Sequence, residues 1–487
     1  MGHRATLLGR GYQDDYLDSP RVRFRRALAL CAMTVVAPGS AQYAVGRRWV
    51  GVLGLVGWAC LLTTGGVLAW RFRTNRSAVL DMFTDTDVLM TARVGVALVA
   101  IAWIALLVDA WRLAKPFRLN LARGALVMLV NSALVLGVGA SAVVASQAID
   151  APRQVIKEVF TATKTSAPLQ GRYNILLVGS DSGPDRIGIR PDSLTVASID
   201  ANTGRTVLVS LPRNLQNVPF REDSPMRTLY PNGYNCGSPC LINAVHTAAE
   251  GRKDLYPNSK HPGLDATIDA VEGATDLKVN YYVMVNLKGF RSLIDAVGGV
   301  EVDVKTRIPM FGDTTLYKQE YIEPGKQVLN GKEALWYGRS RYQADDYIRM
   351  GRQKCLMSYM AAQLSPQKVV FNAQEIASSS KQLLRTNLPG KELGQFADLA
   401  LKSRGKQIST VSLVPPRVNV VTPDFDKIHR MIKKAIAKSE AIGDSAGPTD
   451  DEADPSPSRD PRQNPGKVGE GNDPREANST DDLADTC

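Results

Sequence analysis

The stretch YNILLVGSDSGPDRIGIRPDSLTVASIDANTGRTVLVSLPRN, residues 173–214, decides the fold. NILLVG (174–179) is a short apolar run closing on Gly, Ser and Asp, the pattern of a buried strand that opens into a loop. SLTVASID (193–200) and TVLVSL (206–211) are further runs rich in β-branched residues, and the intervening ANTG reads as a hairpin turn. Charges gather at the strand ends: Asp181 after the first run, Arg190 and Asp192 before the second, Arg213 after the third, where Pro212 stops ladder pairing. In an extended segment Arg190 and Asp192, two apart, project from one face. Two carboxylates and two guanidinium groups on one sheet edge suit a divalent cation and a phosphate. The plainer alternative is that both aspartates cap turns.

From Tyr173 to about Ala441 helical and strand-like runs intermix. Helical patterns fall near 241–252, 264–275, 286–297, 331–336, 343–364 and 424–440; strand patterns fall near 279–285, 300–304 and 407–414. The fold class is therefore α/β, a mixed central sheet flanked by helices. PGKQVLNGKEAL (324–335) reads as a turn followed by a helix capped by Asn330. Gly298 and Gly299 serve backbone geometry at a helix stop.

A second charged cluster is ALWYGRSRYQADDYIRMGRQ, 334–353. Arg339 and Arg341 share a face if extended. A helix begins near Asp345 and Asp346, which suit its positive end. On that helix Arg349, Arg352 and Gln353 are neighbours at spacings of three and four. The bland reading is a solvated charged helix. Against it, four arginines interleaved with Trp336, Tyr337, Tyr342 and Tyr347 are dense for solvation alone, and such a gathering fits a multiply charged anion such as pyrophosphate.

Working outward, the chain divides as 1–26, a basic cytoplasmic tail ending in RVRFRR; 27–146, a transmembrane region; 147–172, a stalk; 173–441, a globular domain; and 442–487, an acidic tail too poor in apolar residues to fold. Spans near 49–70, 93–111 and 124–146 approach the ~20 residues that cross a bilayer, with a half-span at 27–45 interrupted by PGSAQ. Basic flanks place the amino terminus inside and everything after about 147 outside, although Arg71, Arg73 and Arg76 in the loop at 71–92 oppose that assignment. The net charge is +11 over 487 residues; the tail from Asp444 carries twelve acidic and four basic residues, or −8, which leaves +19 for the rest. That balance fits an anionic partner, and the apolar spans point to a membrane rather than nucleic acid.

Four histidines with no zinc spacing leave carboxylates and a hard cation for any metal chemistry. There is no nucleophile elbow and no Gly-rich phosphate loop with a following Lys, and His246 in INAVHTAAE reads as a core or surface histidine. Cys236 and Cys240 lie in a Gly/Pro-rich loop; facing an oxidising exterior they form a disulfide, whereas zinc lacks two further ligands. Cys31 and Cys60 are small apolar residues of the spans, Cys355 a helix core position, and Cys487 the end of a flexible tail.

The ordered blocks NILLVGSD, RPDSLTVASID, VSLPRN, INAV, YYVMVNLKGFRSLIDAVGGVEVDV, GKQVLNGKEALWYGRSR and DDYIRMGRQ resemble the LytR-CpsA-Psr family of cell-wall phosphotransferases over about 173–440, and the wording around the paired cysteines resembles its actinobacterial branch. The resemblance implies a membrane-anchored enzyme with the family's α/β sandwich outside the cell. It would move a glycopolymer (arabinogalactan, teichoic acid or another wall polysaccharide) from a polyprenyl-diphosphate carrier to the muramic acid C6 hydroxyl of peptidoglycan, forming a phosphodiester. It implies magnesium, or manganese in its place, on Asp181 and Asp192. Arg190, Arg213, Arg339, Arg341 and Gln353 would contact the pyrophosphate, with Asp346, Arg349 and Arg352 in support. Two positions depart from the family pattern: Asn214 replaces an aspartate and cannot ionise, and Leu241 replaces a basic residue ahead of INA. An apolar groove for the prenyl chain is expected from 281–285, 293–300 and 353–364. Two other functions compete: hydrolysis of the same lipid diphosphate, and a non-enzymatic envelope sensor or scaffold, against which the clustered Arg and Asp argue.

Overall fold

The computed structural model describes residues 20–181, 189–310, 320–340, 345–363, 384–404, 406–441, 478–483 and 487. The chain forms two compact units, Met1–Arg153 and Gln154–Cys487. The first is helical: α1 (Pro20–Val36), α2 (Ser40–Ala44), α3 (Arg48–Thr74), α4 (Arg76–Thr84), α5 (Thr86–Leu113) and the start of α6 (Leu121–Val159). Three stretches, Arg48–Thr74, Thr86–Arg118 and Leu121–Val159, are long and apolar enough to cross a membrane. The segment 27–45 is broken into α1 and α2 at Pro38-Gly39, where Gly39 adopts φ 98° and lies against the backbone of α3 too closely for a side chain. The expected stalk differs in extent: α6 runs through Pro152 without interruption to Val159, so its first half is a continuation of the third apolar helix.

In the second unit, β1 (Arg172–Ser180), β2 (Pro191–Asp200) and β3 (Thr206–Leu211) form an antiparallel meander. After two short helical turns and α7 (Val245–Glu250) come α8 (Pro262–Thr275), β4 (Tyr281–Asn286), α9 (Leu287–Ala296), β5 (Val300–Val304), β6 (Ile308–Met310), β7 (Glu320–Ile322), β8 (Gly325–Leu329), α10 (Gly331–Arg339), α11 (Asp346–Gln363), β9 (Leu384–Thr386), α12 (Leu393–Ser403), β10 (Ser409–Ser412) and α13 (Phe425–Ala441). The main sheet has the order β10-β3-β2-β1-β4-β9, with β4 parallel to β1 and β10 parallel to β3.

Both faces of this sheet are buried, and the alternation along β1 separates them. Leu176 and Val178 join Val196, Val209, Leu264, Ile428 and Ile432 in the larger core beneath α8 and α13. Tyr173 and Ile175 turn to Tyr281, Leu388 and Leu399 on the other side. A separate small core, with Ile294, Val302, Ile308, Leu329, Tyr337 and Leu356, binds α9, α10 and α11 to the paired strands β5/β8 and β6/β7. Residues 293–300, expected to line a groove, contribute Ile294 and Val300 to this core instead.

Two expectations about the distal residues are corrected. Cys487 does not end a loose tail: it is disulfide-bonded to Cys355 of α11. Residues 478–483 lie along β10, with Leu483 only 3% exposed against Ala197 and Leu208, because an apolar side chain there finds the uncovered end of the sheet. Residues 442–477 lie outside the described residues.

α10 is placed by its start. Asn330 accepts from the Glu333 amide while the Glu333 carboxylate accepts from the Asn330 amide, a reciprocal capping box. Gly331 then packs directly on α9, where a Cβ would collide with the Arg291 carbonyl. Gly331→Ala should push the two helices apart and cost about 1–3 kcal/mol, read as a lower urea midpoint with an unchanged slope.

Candidate active site

Because β1 and β4 run parallel and β2 antiparallel to β1, the carboxyl ends of β1 and β4 and the start of β2 meet at one edge of the sheet. A crevice outside the carboxyl ends of parallel strands is where open α/β sheets bind ligands. Here it holds a cavity of about 190 Å³. One end is polar: Ser180 and Asp181 from β1, Asp192 and Ser193 from β2, Asn286 from β4, Arg339 from α10, and Arg349 and Gln353 from α11. The rest is apolar, with Val285, Phe290, Leu335, Leu356, Met357 and Met360.

The register of β1 and β2 slips here. Gly179 pairs with Ser193 but Ser180 with Pro191, which leaves Asp192 opposite no β1 residue. This bulge breaks the two-residue alternation. Arg190 and Asp192 are placed differently: Asp192 lines the cavity, while Arg190 precedes the strand, is exposed, and contributes its carbonyl to the Asp181 amide at 3.1 Å.

The two charged clusters meet through ion pairs. Arg213 donates through Nε to Asp346 Oδ2 at 2.8 Å and through a terminal nitrogen to Asp192 Oδ1 at 3.1 Å. Burial pulls the Arg213 pKa down, but the hydrogen bonds and charges of Asp346 and Asp192 outweigh it and hold the guanidinium above its ordinary value. Arg339 donates to both oxygens of Asp181, at 3.2 and 3.4 Å, with its guanidinium carbon 5.5 Å from the Trp336 ring centre. Arg349, 2% exposed, reaches the Asp192 carbonyl at 3.4 Å and Asp346 at 3.7 Å.

Arg352 and Gln353 serve the end of α10. Arg352 donates to the Ser340 carbonyl at 3.2 Å and Gln353 to the Gly338 carbonyl at 3.0 Å, which satisfies the last turn and fixes the point from which Arg339 projects. Gln353 thus both lines the cavity and braces the neighbouring helix. Burial lowers the Arg352 pKa. Arg339 and Arg341 were expected to share an extended face; instead α10 continues through Arg339, and Arg341 lies outside the described residues. Asp345 caps α11, accepting from the Tyr347 and Ile348 amides at 3.0 and 2.8 Å, and the neighbouring Asp346 meets Arg213.

Asn214 follows Arg213 in the turn after β3, and its Oδ1 is buried with no donor reaching it among the described residues. Cys236 and Cys240 are joined by a disulfide, Cα–Cα 5.3 Å. The Asn243 amide just beyond donates to the Arg213 carbonyl at 3.3 Å. His246 is 2% exposed and burial pulls its pKa down, so it is a neutral core residue. Ser180, Ser193, Asn286 and Phe290 were not anticipated; the Ser-Asp and Asp-Ser pairs flanking the two carboxylates were the available signal for the first two.

The LytR_cpsA_psr family description matches residues 138–435. The chain belongs to the LytR-CpsA-Psr family. It is 29% identical over 118 residues to the polyisoprenyl-teichoic acid–peptidoglycan teichoic acid transferase TagV of Bacillus subtilis, an alignment spanning 24% of this chain and 30% of that protein. The crystal structure of TagV covers 56% of this chain and 98% of its own at 24% identity and a TM-score of 0.40. That of gbs0355 from Streptococcus agalactiae covers 55% and 88%, at 20% identity and 0.42.

A double-mutant cycle on Arg213→Ala and Asp346→Ala should return a coupling energy of about 1–3 kcal/mol, measured by denaturant unfolding. Additive single effects would show that the pair contributes nothing.

Proposed function

We propose that the protein is a membrane-anchored phosphotransferase that moves a wall glycopolymer from a polyprenyl-diphosphate carrier to the muramic acid C6 hydroxyl of peptidoglycan. The observation that carries this reading is one cavity with an Arg- and Asp-lined end and an apolar remainder, which suits a ligand with a diphosphate head and a hydrocarbon tail. Family membership and the activity named for TagV support it. The basic flanks of the apolar helices support a domain held outside the membrane.

In this reading the acceptor hydroxyl oxygen attacks the glycan-side phosphorus, the bond to the bridging oxygen breaks, and polyprenyl monophosphate leaves. Such transfer needs positioning and charge stabilisation more than covalent chemistry. Arg339 and Arg213 carry positive charge for the transferred and leaving phosphates, and the family resemblance assigns Arg190 and Arg341 to the same task. Ion-paired to Asp181, Asp192 and Asp346, the Arg339 and Arg213 guanidinium groups need little reorganisation. Asn214 cannot take the hydroxyl proton.

Asp181 and Asp192 offer hard oxygen donors in one cavity, and no cluster of three or more acidic, His or Cys ligands occurs among the described residues. That set fits magnesium, or manganese, which takes one or two carboxylates and fills its shell with waters and phosphate oxygens. When bound, the ion draws charge from the diphosphate. Asp192→Ala and Arg339→Ala should each lower transfer by about a hundredfold or more. The assay supplies the full chain, a polyprenyl-diphosphate glycan, magnesium and peptidoglycan, and follows wall-linked product. Product released to water alone would replace transfer by hydrolysis; full activity in both variants would remove the site.

A further inference from the structure

Residues 478–483 and Cys487 are held by one stripe of α11. The Asn478 side-chain amide donates to the Tyr347 carbonyl at 2.7 Å. Lys354 Nζ donates to the Thr480 carbonyl and hydroxyl at 2.7 and 2.8 Å. Cys355 is disulfide-bonded to Cys487. Positions 347, 354 and 355 fall on one helical face, whereas the site residues 349, 352, 353 and 356 fall on another.

The same segment holds the sheet. Thr410 donates its amide to the Asp481 carbonyl at 2.8 Å and its hydroxyl to the Thr480 carbonyl at 2.7 Å, and the Leu483 amide donates to the Ile408 carbonyl at 2.8 Å. Arg417 binds the Asp481 carboxylate at 2.8 Å and the Ser479 carbonyl at 2.7 Å. Lys354 is 3% exposed, and burial first, then the charge of Arg417, draws its pKa down to about 8. Holding a cation in such surroundings is costly, and the two hydrogen bonds to Thr480 offset part of that cost.

We infer that this segment is a strap that fixes α11 against the outer strand of the sheet and so positions Arg349, Arg352 and Gln353, which makes Thr480, Lys354 and the Cys355–Cys487 bond positioning residues of the site. The inference rests on the cavity being the donor site. Its route is short: a shift of α11 moves Asp346 from Arg213, Arg352 from the Ser340 carbonyl and Gln353 from the Gly338 carbonyl.

The test uses the full chain in detergent, with Thr480→Val, Thr480→Ser and Cys487→Ser. In Thr480→Val and Cys487→Ser, amide exchange in α11 should rise about tenfold while β1 and α8 keep their protection, and KM for a polyprenyl-diphosphate donor should rise about tenfold. Thr480→Ser should restore both. Loss of folded protein would instead reduce turnover in proportion and leave KM unmoved. Unchanged α11 exchange in both variants overturns the strap, and faster exchange with an unmoved KM overturns its positioning role. Absence of donor turnover in the unmodified chain counts against the proposed function, and the exchange comparison still decides whether the strap holds α11.

Discussion

Arg213 is gripped by Asp192 on one side and Asp346 on the other, and the arrangement of the site depends on that grip. The two carboxylates come from parts of the domain far apart in sequence: one from the bulge at the start of β2, the other from the first residue of α11. A planar fork can satisfy both only if strand end, turn and helix start are all in place, which an ammonium on a flexible stem would not demand. Half-burial alone would disfavour the charge; the two partners reverse that preference. A local electrostatic requirement is thereby converted into the long-range placement of a helix.

That placement gives the cavity its two characters. α11 supplies Arg349 and Gln353 near the charged end and Leu356, Met357 and Met360 further along, one helical face passing from polar to apolar within three turns. α10 is held from both ends, by its capping box and Gly331 at the start and by Arg352 and Gln353 at the finish. Few of the arginines in this region are solvated surface charges. Some face the cavity and others brace the backbone from which those project.

Much of this was legible in the chain. A short apolar run located β1 and β-branched runs located β2 and β3, and the three-four spacing of Arg349, Arg352 and Gln353 placed them on one helical face. Arg190 was misplaced because alternation presumes a regular ladder, and a bulge has no signature in side-chain chemistry. Asn286 and Phe290 were missed because they join the site through the parallel pairing of β4 with β1, a contact across more than a hundred residues with no local pattern. β6, β7 and β9 are three residues each, too short for a period to register. The strand β8 was read as a turn because Gly325 and two polar residues open it. Cysteine spacing does not specify partners, so Cys355 and Cys487, separated by 132 positions, gave no sign of each other.

The bulge at Asp192 also bears on how this part of the chain can vary. Substitution at the neighbouring positions alters packing or charge one residue at a time. A change in length does something different. Deleting Asp192 would let β2 zip regularly onto β1, and the ladder would lose its irregularity while the cavity lost a carboxylate. The backbone here gives up one element of regularity to aim one side chain, so a change in chain length at this point disturbs the site more than a replacement does.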